Sequence, residues 1–355
     1  MKVLIIVGAR PNFIKITPLF KEFNRYNSIK LILVHTGQHY DFEMSQIFFK
    51  DFKIPKPNYN LGIGSGSHSW QTAKIMEKLE PIILREKPNL VIVVGDVNST
   101  LAGSLVAAKI NIPLAHIEAG LRSYQKTMPE EINRLLTDQV STFLFCPTET
   151  AIQNLKKENI TKNVYNVGDV MYDTLINSKS KIKKLKLLKE LELKPKQYLL
   201  LTVHRASNTD SLENLKRIIT AVGESREKVV FPIHPRTKKQ LKKIKLKIKN
   251  CKLKIIPPLS YLNMLILEKN AKKIITDSGG VQKEAYWLKI PCITLRNETE
   301  WIETVKDGWN ILVGQNKAKI LEAIRKFQPN NPQHHYFGNG KSAIKTINII
   351  RRNFL

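Results

Sequence analysis

Residues 90–94, Leu90-Val91-Ile92-Val93-Val94, form an unbroken apolar run that ends on Gly95-Asp96. A strand with one wet face alternates apolar and polar residues. A continuous run is what a parallel strand covered on both faces requires. Similar β-branched runs recur along the chain, separated by longer helical patterns. Strands are expected at residues 2–8, 30–36, 89–95, 113–118, 143–147 and 164–168. A second set is expected at 198–204, 228–234, 253–257, 273–276, 292–295 and 310–313. Regular strand–helix alternation implies right-handed βαβ units and doubly wound parallel sheets, an α/β architecture.

The chain has 355 residues, enough for two domains at about 100–200 residues each. The strand rhythm stops and lysine density rises over residues 170–197, where Lys194-Pro195-Lys196 precedes the next strand. The expected division is a first domain at 1–172, a second at 173–335 and a closing segment at 336–355, whose residues 342–353 read as a helix.

Composition narrows the function classes. The chain is 42% hydrophobic and 25% charged, ordinary for a protein with real cores. No apolar run approaches the ~18 residues of a membrane span. The apolar run at 3–7 is cut short by Gly8-Ala9-Arg10-Pro11 and reads as a buried strand rather than a leader, so a cytoplasmic protein without membrane insertion is expected. Cys146, Cys251 and Cys292 lie far apart with no C-x-x-C pair, which argues against a disulfide framework or a structural metal site. The net charge of +28 concentrates in 179–196 and 238–254. Neither stretch interleaves aromatics as a base-stacking surface would, so both read as solvated faces and no nucleic-acid partner is expected.

In open α/β sheets, ligands bind beyond the carboxyl ends of the strands. The residues expected there are Arg10, Gln38, His39, Asp96, Glu118, His204, His234, Asp277 and Ser278, and two domains presenting them to a shared cleft would gather them. The strongest local signal is Asp277-Ser278-Gly279-Gly280-Val281-Gln282-Lys283-Glu284: a strand ends, Ser278 stands where it can cap, two glycines follow and a helix begins. Glycines let an anion approach the backbone, and helix N-terminal amides supply donors and partial positive charge. Glu284, one turn in, is placed to accept ribose hydroxyls. Gly8-Ala9-Arg10-Pro11 is neither G-x-G-x-x-G nor a Walker sequence, so a nicotinamide, flavin or ATP cofactor is disfavoured. Arg10 and Lys15 suit a diphosphate as a fork and a point charge. Asp96, Glu118 and the acids of Pro129-Glu130-Glu131-Ile132-Asn133-Arg134 lie in the first domain, where burial and mutual repulsion would tune them for proton transfer. His204-Arg205 and His234-Pro235-Arg236 end the first two strands of the second domain; alone, each histidine is as easily structural as functional.

Taken in order, Gly8-Ala9-Arg10-Pro11 with Lys15, Gly95-Asp96, His116-Ile117-Glu118-Ala119-Gly120-Leu121-Arg122, Pro129 to Arg134, Val203-His204-Arg205 and Asp277 to Ala285 resemble the non-hydrolysing UDP-N-acetylglucosamine 2-epimerase family. The likeness runs from residue 1 to about residue 315. It implies a GT-B fold, in which two Rossmann-like doubly wound domains face a central cleft that takes a UDP-sugar. It also implies a C-terminal helix crossing back onto the first domain, a homodimer, and no cofactor or metal. Carried over by motif, Asp96, Glu118 and Glu130 look like the acid/base set and His204 a further catalytic or leaving-group residue. Arg10, Lys15, Arg134 and His234 look like sugar or phosphate contacts. Ser278, Gly279 and Gly280 look like the diphosphate cradle, with Glu284 on the ribose. Some relatives hold a second, activating UDP-sugar; Gln38, His39 and Gln71 are candidates for such a site, and the sequence leaves that open.

The chemistry agrees. C2 of a 2-acetamido sugar has no adjacent carbonyl, so its hydrogen is not acidic. An enzyme can oxidise a neighbouring carbon with a nicotinamide, or expel the anomeric substituent while taking the C2 proton. A diphosphate cradle with clustered acids and no nicotinamide fingerprint suits the second course, with one carboxylate ionised as base and another protonated as acid.

Two departures from the family pattern bear on the substrate. His204-Arg205-Ala206-Ser207-Asn208 has Ser207 where a glutamate is usual, and Thr299-Glu300-Trp301-Ile302-Glu303 has Trp301-Ile302 where Arg-Pro is usual. The Glu-Trp form, with Gly168-Asp169-Val170-Met171-Tyr172-Asp173, looks more like the branch acting on the 2,3-diacetamido-glucuronate nucleotide for surface polysaccharide or glycan synthesis; plain UDP-N-acetylglucosamine stays open. Three rivals remain. A retaining glycosyltransferase shares fold and donor but needs an acceptor, and usually pairs glutamates eight apart where Asp277 and Glu284 are seven apart. A hydrolysing epimerase would release free sugar. A nucleic-acid-binding module would bind with steep salt dependence.

Overall fold

The computed structural model describes residues 1–38, 52, 54–182, 186–244 and 252–355, without the Arg10 side chain. It divides into two compact units, residues 1–177 with 335–355, and residues 178–334.

The first unit is built on a parallel sheet of β1 (Lys2–Val7), β2 (Lys30–His35), β3 (Tyr59–Asn60), β4 (Leu90–Val94), β5 (Leu114–Ile117), β6 (Phe143–Cys146) and β7 (Val164–Asn166). Their order is β3-β2-β1-β4-β5-β6-β7. Ile5 of β1 is in register with Ile92 of β4 and Leu33 of β2. All five residues of β4 are buried, as its continuous apolar run requires. The helices His68–Glu86 and Asn98–Lys109 cover one face, where Ile75, Leu79, Ile83, Ala102 and Val106 pack on Leu4, Val34 and Val93.

The second unit repeats the plan with β8 (Leu199–Thr202), β9 (Val229–Pro232), β10 (Leu253–Ile256), β11 (Lys273–Thr276), β12 (Cys292–Thr294) and β13 (Asn310–Leu312). Its order, β10-β9-β8-β11-β12-β13, has the same reversal. Ile219 and Val222 of helix Leu212–Glu224, with Ile320 and Ile324 of helix Lys317–Lys326, pack on Leu201, Phe231 and Ile293. Burying one such side chain is worth ~1.5–3 kcal/mol.

Most strands stop one or two residues earlier at their carboxyl ends than the apolar runs suggest. The cause is local: Gly95 and Glu118 both turn to φ +72°, and Gly168 to φ +89°, so the chain leaves the extended conformation there. β3 was not expected, because two residues are too few to carry a period.

The last helix, Ser342–Phe354, belongs to the first unit. It buries Ala343, Ile347 and Ile350 at helical spacing. Arg351 lies 4.0 Å over the Tyr26 ring, and Phe354 lies 5.8 Å from Phe143 between ring centres. Its N-terminal amides of Ser342 and Ala343 donate to the Asp173 carboxylate at 3.1 and 2.8 Å. No described helix is long and apolar enough to cross a membrane.

Candidate functional site

In each sheet the strand order reverses beside its first strand, between β1 and β4 and between β8 and β11. A doubly wound sheet opens a crevice at that point, because successive connections leave in opposite directions. The connections that leave these four strands carry Arg10, Lys15, Asp96, His204, Asp277, Ser278 and Glu284, whereas Glu118 follows β5 and His234 follows β9.

In the first unit, Asn12 ties the two loops. Its Oδ1 accepts the N–H groups of Gly8 and Ala9 at 3.1 and 2.9 Å, and its Nδ2 donates to the Val94 carbonyl at 2.9 Å. Gly95 follows in the left-handed region, and a Cβ there would lie 2.8 Å from Lys15 Nζ and 3.4 Å from Glu118 Oε2. A side chain at 95 would be strained in this conformation and would crowd the Lys15 ammonium. Lys15 and Glu118 form a buried ion pair. Lys15 thus has a carboxylate partner within the unit, with further N–H donors on the same ammonium. Glu118 itself holds a left-handed backbone, which costs a non-glycine residue ~1–3 kcal/mol. Its amide and that of Ala119 both donate to the Phe145 carbonyl at 3.1 Å, which fixes the turn.

Asp96 receives Arg134 in a fork, Nη2 at 2.6 Å and Nε at 3.0 Å, while Arg134 Nη1 reaches Glu131 at 2.8 Å. Arg134 is buried in this exchange, so it too is held by acids. Burial raises the Asp96 carboxyl, but the charges of Arg134 and then Lys15 outweigh it and hold Asp96 below the usual carboxylate range against the opposing charge of Glu118. The structure thus gathers Lys15, Asp96, Glu118 and Arg134. It does not bring Glu130 into this group: Glu130 is half-buried in the first turn of helix Pro129–Val140, with no hydrogen bond or ion pair among the described residues. Its neighbour Glu131 is the buried one and also accepts from the Ser123 and Tyr124 amides, both at 2.9 Å.

A second layer supports the acids. His116 contacts Asp138 Oδ1 at 2.6 Å through Nδ1 and the Gly95 carbonyl at 2.8 Å through Nε2. Asp138 also accepts from the Gly120 amide at 3.0 Å and Arg122 at 2.7 Å. Burial raises the Asp138 carboxyl, and His116 and Arg122 bring it below its ordinary value. The sequence motif around Glu118 therefore supplies one acid and its scaffold together.

Gln38 and Gln71 lie beside this set. Gln38 Oε1 accepts from Ser99 N and Oγ at 3.0 and 2.6 Å. Gln71 donates to the Gln38 carbonyl at 3.1 Å and accepts from Asn98 Nδ2 at 2.8 Å. Asn133 continues from Asn98 Oδ1 at 3.3 Å to the Asp96 carbonyl at 2.9 Å. A polar chain thus leads from these glutamines to Asp96. His39 and the Arg10 side chain lie outside the described residues.

In the second unit, buried Asp277 binds the loop after β8. Its carboxylate accepts from the amides of His204 and Arg205 at 3.1 and 3.0 Å and from Asn208 Nδ2 at 3.0 Å. The His204 ring is 43% exposed, with Nδ1 3.4 Å from Asp277 Oδ1. His234 caps helix Pro235–Leu241 by accepting from the Arg236 amide at 3.3 Å, its ring 6.2 Å from that of His204 between centres. Ser207 is exposed.

Ser278 stands at the N-cap of helix Gly279–Trp287, but its side chain does not cap it, which corrects the expectation above. The first amide to bond back is that of Gln282, to the Ser278 carbonyl at 3.1 Å. The amides of Gly279, Gly280 and Val281 precede it, as an anion-binding helix end requires. A Cβ on Gly279 would sit 3.0 Å from Trp301 Nε1 and 3.1 Å from Glu300 Oε1. Trp301 is buried and also stacks on Lys283, whose Nζ is 3.9 Å from the ring centre. The departure at Trp301 therefore lies directly against the first turn of this helix. Glu284 is buried in the same helix. Sequence reasoning gave no role to Asn12, Asn133, Asp138 and Asn208, and within the Pro129–Arg134 motif it took Glu130 rather than Glu131; the signal available was a polar residue set among apolar ones on a helix face. Among the described residues, no group of three or more His, Cys, Asp or Glu side chains is placed to hold a metal ion.

Against known proteins, residues 21–351 match the family described as UDP-N-acetylglucosamine 2-epimerase. The chain is 59% identical to a UDP-N-acetylglucosamine 2-epimerase homolog of Methanococcus maripaludis, covering 99% of each chain. It is 46% identical to the UDP-2,3-diacetamido-2,3-dideoxy-D-glucuronate 2-epimerase of Pseudomonas aeruginosa, covering 92% of each. The structure resembles that of the Methanocaldococcus jannaschii UDP-GlcNAc 2-epimerase in complex with UDP-GlcNAc and UDP, with a TM-score of 0.92 at 46% identity over 99% of this chain and 100% of that one.

Proposed function

The chain belongs to the UDP-N-acetylglucosamine 2-epimerase family, and from that premise we propose that it inverts C2 of UDP-N-acetylglucosamine or its 2,3-diacetamido-glucuronate counterpart by eliminating and re-adding UDP. Two Rossmann-like units of the GT-B type fit this reading better than a glycosyltransferase does, because the acids concentrate in the first unit. The observation that carries the proposal is the convergence of Lys15, Asp96, Glu118 and Arg134 at the switch point of the first sheet.

In the first step, a carboxylate takes the C2 proton while the C1–O bond to UDP breaks, giving a C1=C2 glycal and UDP. In the second, a β-phosphate oxygen of UDP attacks C1 and a proton is delivered to C2 from the other face. Asp96, held ionised, suits the base; Glu118, paired with Lys15, belongs to the same proton-handling set. UDP must stay bound between the steps, which the glycine-led helix end and its amides serve, with Glu284 on the ribose. His204, Arg10 and His234 serve the leaving diphosphate and sugar in this reading, and Glu130 acts when substrate is bound. The same reading has a cytoplasmic homodimer making a manno-configured nucleotide sugar for surface polysaccharide or glycan assembly.

The test is a pair of isosteric variants. Asp96→Asn and Glu118→Gln are each expected to lower kcat by about 100-fold or more while UDP affinity by calorimetry stays near wild type. Wild-type turnover in both would remove these acids from the chemistry.

A further inference from the structure

Glu268 is a fully buried acid that the proposed mechanism does not use. It sits on helix Tyr261–Asn270, and neither of its oxygens finds a hydrogen-bond donor among the ordinary N–H and O–H groups of the described residues. What it meets is Glu284, on the helix Gly279–Trp287 that packs against its own. Two carboxylates in contact without water repel strongly, so such a pair is stable when it holds one proton. No described cation pairs with Glu268. Lys283, next to Glu284 in sequence, is instead placed over the Trp301 and Trp287 rings.

The two other buried ionisable groups that feel the Glu268 charge, Cys292 and Tyr198, are neutral. Burial pushes the Cys292 thiol up to about 12. Burial likewise pushes up the Tyr198 phenol, which donates to the Leu267 carbonyl at 2.6 Å. The helix Leu187–Glu190, also packed on this side, contributes only the exposed charges of Lys189 and Glu190. Nothing but Glu284 answers the Glu268 carboxyl. Both Glu268 oxygens lack a donor among the described residues, whereas only Oε1 of Glu284 does, so the neutral form belongs to Glu268 and the charge to Glu284.

We propose that Glu268 is a positioning residue: as a carboxylic acid it donates its O–H to the Glu284 carboxylate, fixing the rotamer in which Glu284 meets the ribose hydroxyls. Burial, then the charge and hydrogen bond of Glu284, lift the Glu268 carboxyl well above the usual range. The proposal rests on the reading of Glu284 as the ribose-binding residue. A glutamine at 268 keeps a donor in the same place without a proton to lose, whereas a leucine keeps the volume and removes the donor.

Two measurements separate the proton from the ribose. An unfolded glutamate releases its proton near pH ~4.3, while folded Glu268 keeps it. Folding then takes up a proton, and this stability is lost as pH rises from about 5 toward the folded value. Glu268→Gln has no such loss, so its melting temperature should gain on wild type between about pH 5 and pH 8. A difference that stays flat with pH overturns the proposal, whether or not the leucine variant folds. In calorimetry with UDP as the probe, Glu268→Gln should bind within about threefold of wild type. Glu268→Leu should bind about tenfold more weakly, the worth of one charge-assisted hydrogen bond. Leucine binding like wild type, or glutamine as weak as leucine, overturns it. Glu284→Gln is measured alongside: unchanged UDP affinity there sinks the ribose reading itself, a result distinct from a flat melting difference.

Discussion

Asp96 shows how a few residues set a protonation state. Burial alone would raise its carboxyl, yet Arg134 and Lys15 hold it down, which keeps it ionised, the state the proposed base role requires. A lowered folded value contributes stability above the unfolded pKa that is lost as pH falls through the folded one. Arg134→Gln removes the nearest cation, so the Asp96 carboxyl rises. The acid limb of the kcat/KM profile should then move up by about one pH unit or more. A limb that does not move belongs to another group. Asp96 and Glu118 were legible in the sequence because a charge that ends an apolar strand has no place in a core. Which cation pairs with which acid was not. Lys15 meets Glu118 across 103 positions and Arg134 meets Asp96 across 38, and pairings at such separations leave no local pattern. Glu130 shows the same limit from the other side, since neighbouring glutamates in one motif look alike until the helix decides that Glu131 is turned inward.

At the scale of elements, the apolar runs located the strands, but their ends were set by turns. Gly95 and Glu118 leave the extended conformation one residue after the last strand position, inside the spans the sequence assigns to those strands. Loop anchoring was invisible for a related reason: Asp277 was noticed as a strand end, but its grip on the His204 and Arg205 amides spans 73 and 72 positions. The final helix depends on a similar long-range cap. Asp173 accepts both of its first amides, with its carboxyl raised by burial despite those bonds. Asp173→Ala should cost ~1–3 kcal/mol, seen as a lower melting temperature and faster amide exchange confined to residues 342–354. Unchanged exchange there would show that Ile347, Ile350 and Arg351 hold the helix without the cap.

For the whole molecule, two sheets with the same strand reversal place two loop sets at two switch points, and the chemistry divides between them. Acids and their cations lie in the first unit, and the uncapped helix end with its buried glutamates lies in the second. The doubly wound plan was readable from strand–helix alternation alone, whereas the boundary was not sharp, because helix Val170–Ile182 runs through it. The charge of +28 follows basic stretches whose described lysines are mostly exposed, as a solvated face requires. The central claim is that C2 loses its hydrogen while UDP departs, and proton NMR in D₂O tests it directly. Incubated separately with UDP-N-acetylglucosamine and with its 2,3-diacetamido-glucuronate counterpart, the enzyme should give a manno-configured nucleotide sugar carrying deuterium at C2, without free sugar, and the faster substrate names the branch. Retention of the C2 hydrogen in both nucleotides would contradict the elimination and return the fold to a glycosyltransferase reading.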